Sequence, residues 1–173
     1  MSESGGRRAW LRWLAMAGPI ATGVLAALPT VAVWLDPVLR PRRHRGTRIV
    51  VGPVSALRDE HPVSMTVVGE RTDAWERAPR STLGVVWLQR RPDGSILCHS
   101  AACPHLGCRV GYDERARQFV CPCHSSRFAL DGRVLSGPSA RPLDELPAER
   151  TADGMIAVRF ARFRPRIATR EEI

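Results

Sequence analysis

Cys103-Pro104-His105-Leu106-Gly107-Cys108, answered by Cys121-Pro122-Cys123-His124, is the stretch on which the reading of this chain turns. Four of the five cysteines and two of the five histidines lie between positions 103 and 124. As a ligand pattern it is Cys-x-His, fifteen residues, then Cys-x-x-His. Two soft thiolates and two imidazoles on two loops suit a pair of irons, with thiolates on one and imidazoles on the other. Zinc in a Cys2His2 site is the alternative, although Cys-x-His is tighter than the usual finger spacing. Cys108 and Cys123 remain, one in each loop, where a disulfide could tie the loops together.

Outward from that stretch, 173 residues make one domain with attachments. The formal charge of +9 invites a nucleic-acid reading, but all 26 basic residues are arginine and no lysine is present. A uniform arginine bias without a basic stripe interleaved with aromatics does not describe a nucleic-acid surface. A disulfide beside a metal site points instead to an oxidising compartment. Cys98, in the apolar run Ile96-Leu97-Cys98, reads as a buried strand cysteine, with His99 buried on the other face. His44 and His61 read as solvated loop residues.

Toward the amino terminus, Arg7-Arg8-Ala9-Trp10-Leu11-Arg12 precedes a charge-free run from Leu14 to Leu35. As a helix that run is about 33 Å long, matching a bilayer core and exceeding a signal-peptide core. Pro19 and Pro29 fall inside it, which a membrane helix tolerates. The expectation is a retained anchor at 14–35, with residues 1–13 cytoplasmic. Arg7-Arg8 looks like a twin-arginine export signal, a route for folded proteins. Arg40, Arg42, Arg43, Arg45 and Arg48 follow the span and oppose that orientation by charge counting alone. Residues 36–48, with two prolines and no hydrophobic periodicity, read as an extended, flexible tether.

From Ile49 the pattern is short strands and turns, so the fold class is all-β. Leu83–Gln89 is the strongest strand, turned by Arg91-Pro92-Asp93-Gly94 into Ser95–His99. Arg109–Tyr112 and Gln118–Cys121 flank a polar turn, Phe128–Leu130 and Arg133–Leu135 flank Asp131-Gly132, and Met155–Phe160 alternates apolar with polar. The head spans 49–165: a basal antiparallel sandwich from 49–95 and about 143–165, with a cluster-binding subdomain inserted at about 96–142. So small an insert needs cross-links. Residues 166–173 form a C-terminal tail, and the whole stretch Arg162–Ile173 reads as frayed or surface-attached.

At the two loops the chain resembles the Rieske iron–sulfur proteins. The resemblance implies one 2Fe-2S cluster, with Cys103 and Cys121 on one iron, His105 and His124 on the other, and a Cys108–Cys123 disulfide. Leu106, Ser126, Phe128, Gly137 and Pro138 are then the residues around the cofactor, since Gly137–Leu143 resembles the family's proline-containing covering loop. Oxygenase and ferredoxin members typically lack the bridging cysteines and the anchor. The chain therefore looks like the iron–sulfur subunit of a cytochrome bc complex of the bc1/b6f type, an oxidoreductase of the respiratory chain. That implies a quinol donor, cytochrome b and c-type cytochrome partners, a dimeric complex, and a head on the periplasmic face of the cytoplasmic membrane. The Rieske subunit of a periplasmic arsenite-oxidase-like molybdoenzyme is the alternative.

By the same resemblance, His124 contacts quinol and couples proton transfer, with His105 as its exposed neighbour. The departures are specific. Phe128 stands where many members have a tyrosine whose hydroxyl reaches the first-loop cysteine sulfur, here Cys103. Ser125 replaces a glycine, and Pro104 offers no N–H. Losing a donor to the sulfur lowers the potential, so the expectation is the lower part of a range of about −150 to +300 mV, matched to menaquinol.

Overall fold

The computed structural model describes residues 4–39, 47–58, 61–72 and 76–173. It divides into two units, Met1–Arg43 and His44–Ile173. The described residues of the first form the helix α1 (Ser4–Leu39), 36 residues long. Its stretch Ala15–Leu35 is long and apolar enough to cross a membrane. Arg7-Arg8 lies within α1, which runs unbroken through Pro19 and Pro29. Thr22 and Thr30 donate their hydroxyls to the carbonyls of Gly18 and Ala26, one turn back. Of the extended tether expected at 36–48, residues 36–39 are helical and residues 47 and 48 belong to a strand. The helix continues through Asp36 and Pro37 to Leu39, and Thr47 and Arg48 pair with Phe160 and Arg159. Residues 40–46, with His44, lie outside the described residues.

Among its described residues the second unit has ten strands: β1 (Thr47–Pro53), β2 (Val63–Thr72), β3 (Arg77–Arg90), β4 (Ile96–Ser100), β5 (Gly111–Asp113), β6 (Gln118–Val120), β7 (Arg127–Phe128), β8 (Val134–Ser136), β9 (Ala148–Arg150) and β10 (Met155–Phe160). A 3-10 turn, Val54–Ala56, follows β1. Among the described residues these strands pair antiparallel, in sheets ordered β1-β10-β9, β2-β3-β4 and β5-β6-β7-β8. The turns have the chemistry their residues dictate. Asp93 and Asp131 accept the backbone N–H two residues on, and Gly94, Gly132 and Gly154 take left-handed φ of 82°, 84° and 76°.

The first two sheets enclose one core, containing Val67, Val86, Leu88, Cys98, Leu146, Ile156 and Val158. Burying each such valine, leucine or isoleucine stabilises the fold by about 1.5–3 kcal/mol. Cys98 is a free, buried cysteine of this core, and burial raises its thiol pKa far above the ordinary value. His99 is buried on the opposite face, where desolvation holds its pKa down against the pull of Glu145. His61 is exposed.

A second core lies under the four-stranded sheet and contains Cys103, Val110, Phe119, Cys121, Phe128 and Leu143. Trp87 of β3 joins the two. Its indole N–H donates to Val110 O at 3.1 Å, and its ring lies 5.5 Å from Phe119 and 6.2 Å from Tyr112. The insert therefore begins later than residue 96. β4 pairs with β3 along its whole length and puts Cys98 into the basal core. β9, unmarked in the sequence because Ala-Glu-Arg has no apolar alternation, forms by pairing with β10. β10 lies between two strands, and Ala157 is buried along with Ile156 and Val158 instead of alternating with them. The stretch 162–173 is attached at the surface and not frayed: Ile173 N–H donates to Arg162 O and Arg164 N–H to Glu171 O, both at 2.9 Å.

Candidate metal centre

Two loops build the site, one between β4 and β5 and one between β6 and β7. They share a hydrogen-bond frame. In the first, Gly107 N–H donates to Cys103 O at 2.7 Å and Cys103 N–H to Cys108 O at 2.8 Å. In the second, Ser125 N–H donates to Cys121 O at 3.0 Å and Cys121 N–H to Ser126 O at 2.8 Å. Each loop is a tight turn closed on its leading cysteine, with the histidine at the crest. The frame demands a left-handed residue before its last position. Gly107 supplies φ +79° and Ser125 φ +56°. The glycine-to-serine change therefore keeps the backbone geometry and carries its strain.

The disulfide Cys108–Cys123 joins the loops. Cys103 and Cys121 are free and each 1% exposed. The Sγ atoms of Cys108, Cys121 and Cys123 lie within 4.8 Å of one another. Burial raises the Cys103 thiol above its ordinary pKa; the His105 backbone N–H pulls it down, and neighbouring Cys121 pushes it further up. Two buried thiols side by side offer a pair of soft sulfur ligands to a metal. The His105 and His124 rings meet edge to face, centroids 4.8 Å apart at 89°. His124 is exposed. His105 is half-buried, not the exposed neighbour expected, because its Nδ1 edge is turned into the protein.

The donor set fits a cluster on further grounds. His105 Nδ1 and Ser126 Oγ are buried without a hydrogen-bond partner in the protein, although Ser126 stands near enough to Cys103 to lower its thiol pKa slightly. A buried unpaired polar atom costs about 1–3 kcal/mol. A 2Fe-2S cluster offers iron to the imidazole and sulfide acceptors to the hydroxyl.

The other expected residues surround these. Phe128 is fully buried in the same core as Cys103. Leu106 is exposed at the tip of the first loop, and Pro138 is exposed beside the second. Gly137, at φ +95°, lies directly on the second loop: a Cβ there would come within 2.5 Å of Ser126 Cα. Arg141, four residues on in that segment, was not anticipated. It is buried and forked onto Asp144. No sequence signal separates it from the other arginines, since only its burial is unusual.

The family model for the Rieske [2Fe-2S] domain matches residues 47–147. The chain is 32% identical over 139 residues to the menaquinol:cytochrome c reductase iron-sulfur subunit of Geobacillus thermodenitrificans, covering 76% of this chain and 77% of that one. It is 43% identical over 68 residues to the cytochrome b6-f complex iron-sulfur subunit of Chlorobaculum tepidum, covering 39% of this chain and 37% of that one. With this relative and its Chlorobaculum thiosulfatiphilum counterpart, the match spans a little over a third of the relative's length, 37% and 35%. A solved plasma membrane Rieske protein, PetC3 of Synechocystis, aligns at a TM-score of 0.47 and 26% identity over 65% of this chain and 99% of its own. The chain thus belongs to the Rieske family, beside the iron–sulfur subunits of bc-type complexes, and its cofactor is one 2Fe-2S cluster.

Proposed function

We propose that the chain is the electron-transfer subunit of a quinol:cytochrome c oxidoreductase, taking electrons from menaquinol and passing them to a c-type cytochrome. One observation carries this reading: the paired loops gather two buried thiols and two touching imidazoles, one of them exposed, in a relative of a menaquinol:cytochrome c reductase subunit. In this reading Cys103 and Cys121 hold one iron and His105 and His124 the other. The cluster, when bound, supplies a one-electron acceptor whose imidazole ligation raises its potential above all-cysteine centres.

The chain's own residues do the rest. His124, exposed, presents its outward ring nitrogen to a quinol hydroxyl and takes the proton there. His105, half-buried with Nδ1 turned inward, holds its ring edge against His124 and fixes the orientation of the pair. Ser126 would offer its buried hydroxyl to the cluster, and Phe128 leaves the Cys103 sulfur without the donor that a tyrosine would provide. Fewer donors stabilise added negative charge less, which favours a low potential and menaquinol. Leu106 and Pro138 offer an apolar rim for docking against a quinol site in a cytochrome b partner. α1 anchors the subunit with its amino terminus in the cytoplasm, after twin-arginine export of the folded head, in a dimeric complex.

The test is purification of the full chain from membranes. The expected result is a red-brown protein whose reduced form shows EPR coupling to two histidine nitrogens. It copurifies with a b-type cytochrome and is reduced by menaquinol. Cys103→Ser and Cys121→Ser each abolish bound iron. A colourless, zinc-loaded protein overturns the reading, and copurification with a molybdoenzyme replaces it with the arsenite-oxidase-like role.

A further inference from the structure

We propose that Arg141 and the segment 162–173 form a brace that positions the first ligand loop, Cys103–Cys108, from behind. The proposal rests on the ligand reading above, and it adds residues that touch neither quinol nor cofactor.

Arg141 is 6% exposed, and its guanidinium is nearly saturated. Nε donates to Asp144 Oδ1 at 3.0 Å and Nη2 to Asp144 Oδ2 at 2.9 Å, a two-pronged fork on one carboxylate. Nη1 donates to two backbone carbonyls, Arg164 O at 3.0 Å and Ile167 O at 2.7 Å. Between those two carbonyls, the backbone N–H of Arg166 donates to Pro104 O at 2.9 Å. Pro104 lies between Cys103 and His105 and is fully buried. Lacking an N–H, it has its carbonyl as its one backbone handle, and that handle is held by the brace. Arg166 sits at φ +70°, a conformation that a residue with a side chain adopts only when its surroundings hold it there.

Both ends of the brace are fastened. Asp144 O accepts from Ser100 N–H at 2.8 Å, at the end of β4 just before the loop. Arg170 donates to Glu145 O and lies 4.4 Å from the Phe163 ring. Behind the loop is a cavity of about 390 Å³, lined in part by Val85, Cys103, Pro104, Gly107, Phe160 and Phe163. The cavity interrupts the packing on that side, and the hydrogen bonds of the brace act together with the burial of Cys103 and Pro104 to place the loop. The second loop is supported differently, by Gly137 against Ser126.

The test uses the full-length protein in detergent, comparing wild type, Arg141→Lys and a chain ended at Ala161. A lysine keeps the charge beside Asp144, but one ammonium cannot span the carboxylate and both carbonyls. Amide exchange is read at Gly107 in the first loop and Ser125 in the second. In both variants Gly107 exchange is expected to rise about tenfold while Ser125 is unchanged. The cluster should bleach faster, and Arg141→Lys should add nothing to the shortened chain. Arg166→Gly keeps the N–H and should keep wild-type protection. Equal loosening of both loops, or no change at either, overturns the proposal. If instead the ligand reading is wrong, the cluster survives His105→Ala while the exchange pattern still reports the brace.

Discussion

The two ligand loops have the same backbone frame and opposite surroundings. Both close with an N–H bonded to the leading cysteine carbonyl, and both place a left-handed residue next to last. The first meets that demand with Gly107, whose missing Cβ would have met nothing within 4 Å; glycine is needed there for φ alone. The second meets it with Ser125, at a conformational cost. The first presents a half-buried histidine and is held from behind by the segment 162–173. The second presents an exposed histidine and is covered by Gly137-Pro138. One frame thus serves a fixed imidazole and an accessible one, and the difference lies in what packs behind each turn.

The largest effect should come from removing what ties the loops together. Cys108→Ala with Cys123→Ala opens a link across 15 residues and should cost about 3 kcal/mol in denaturant unfolding. If the loops were independent, stability would barely change. Next, Gly137→Ala places a methyl 2.5 Å from Ser126 Cα at φ +95° and should cost about 2 kcal/mol, seen as a lowered Tm and loss of cluster. A smaller pair of changes tests the shared frame directly. Ser125→Gly should stabilise by about 1 kcal/mol and Gly107→Ala destabilise by a similar amount. Equal signs would mean that the two turns are not equivalent. The smallest is electronic: Phe128→Tyr should raise the midpoint in redox titration by something on the order of tens of millivolts. An unchanged midpoint would mean that a hydroxyl there does not reach Cys103.

Much of the fold is legible because short-range chemistry writes it. The Asp-Gly turns at 93, 131 and 153 need no partner to be read, and the apolar runs at β3 and β4 lie where their side chains predict. The Cys108–Cys123 bond was open as a possibility in the residues and became an expectation through the resemblance to the Rieske proteins, and the structure forms it. What could not be read depended on partners distant in sequence. β4 looks like part of the insert until its pairing with β3 is known, and β9 exists only because β10 offers an edge. The arginine-rich end of the chain looks like solvated tail, yet residues 164–167 bond Arg141 and Pro104.

By itself, then, the sequence determined the kind of centre this protein carries. Cys103, His105, Cys121 and His124 announce their donor chemistry through residue type and spacing, and an apolar run long enough to span a bilayer announces itself by length. The tertiary structure alone decided which imidazole is exposed and that Ser125 takes a glycine's conformation. It also decided that Arg141 is the buried arginine among the described residues and serves as a structural hub. Donor chemistry belongs to single residues and survives in a linear string. Burial, strain and support are set by whatever the folded chain brings alongside.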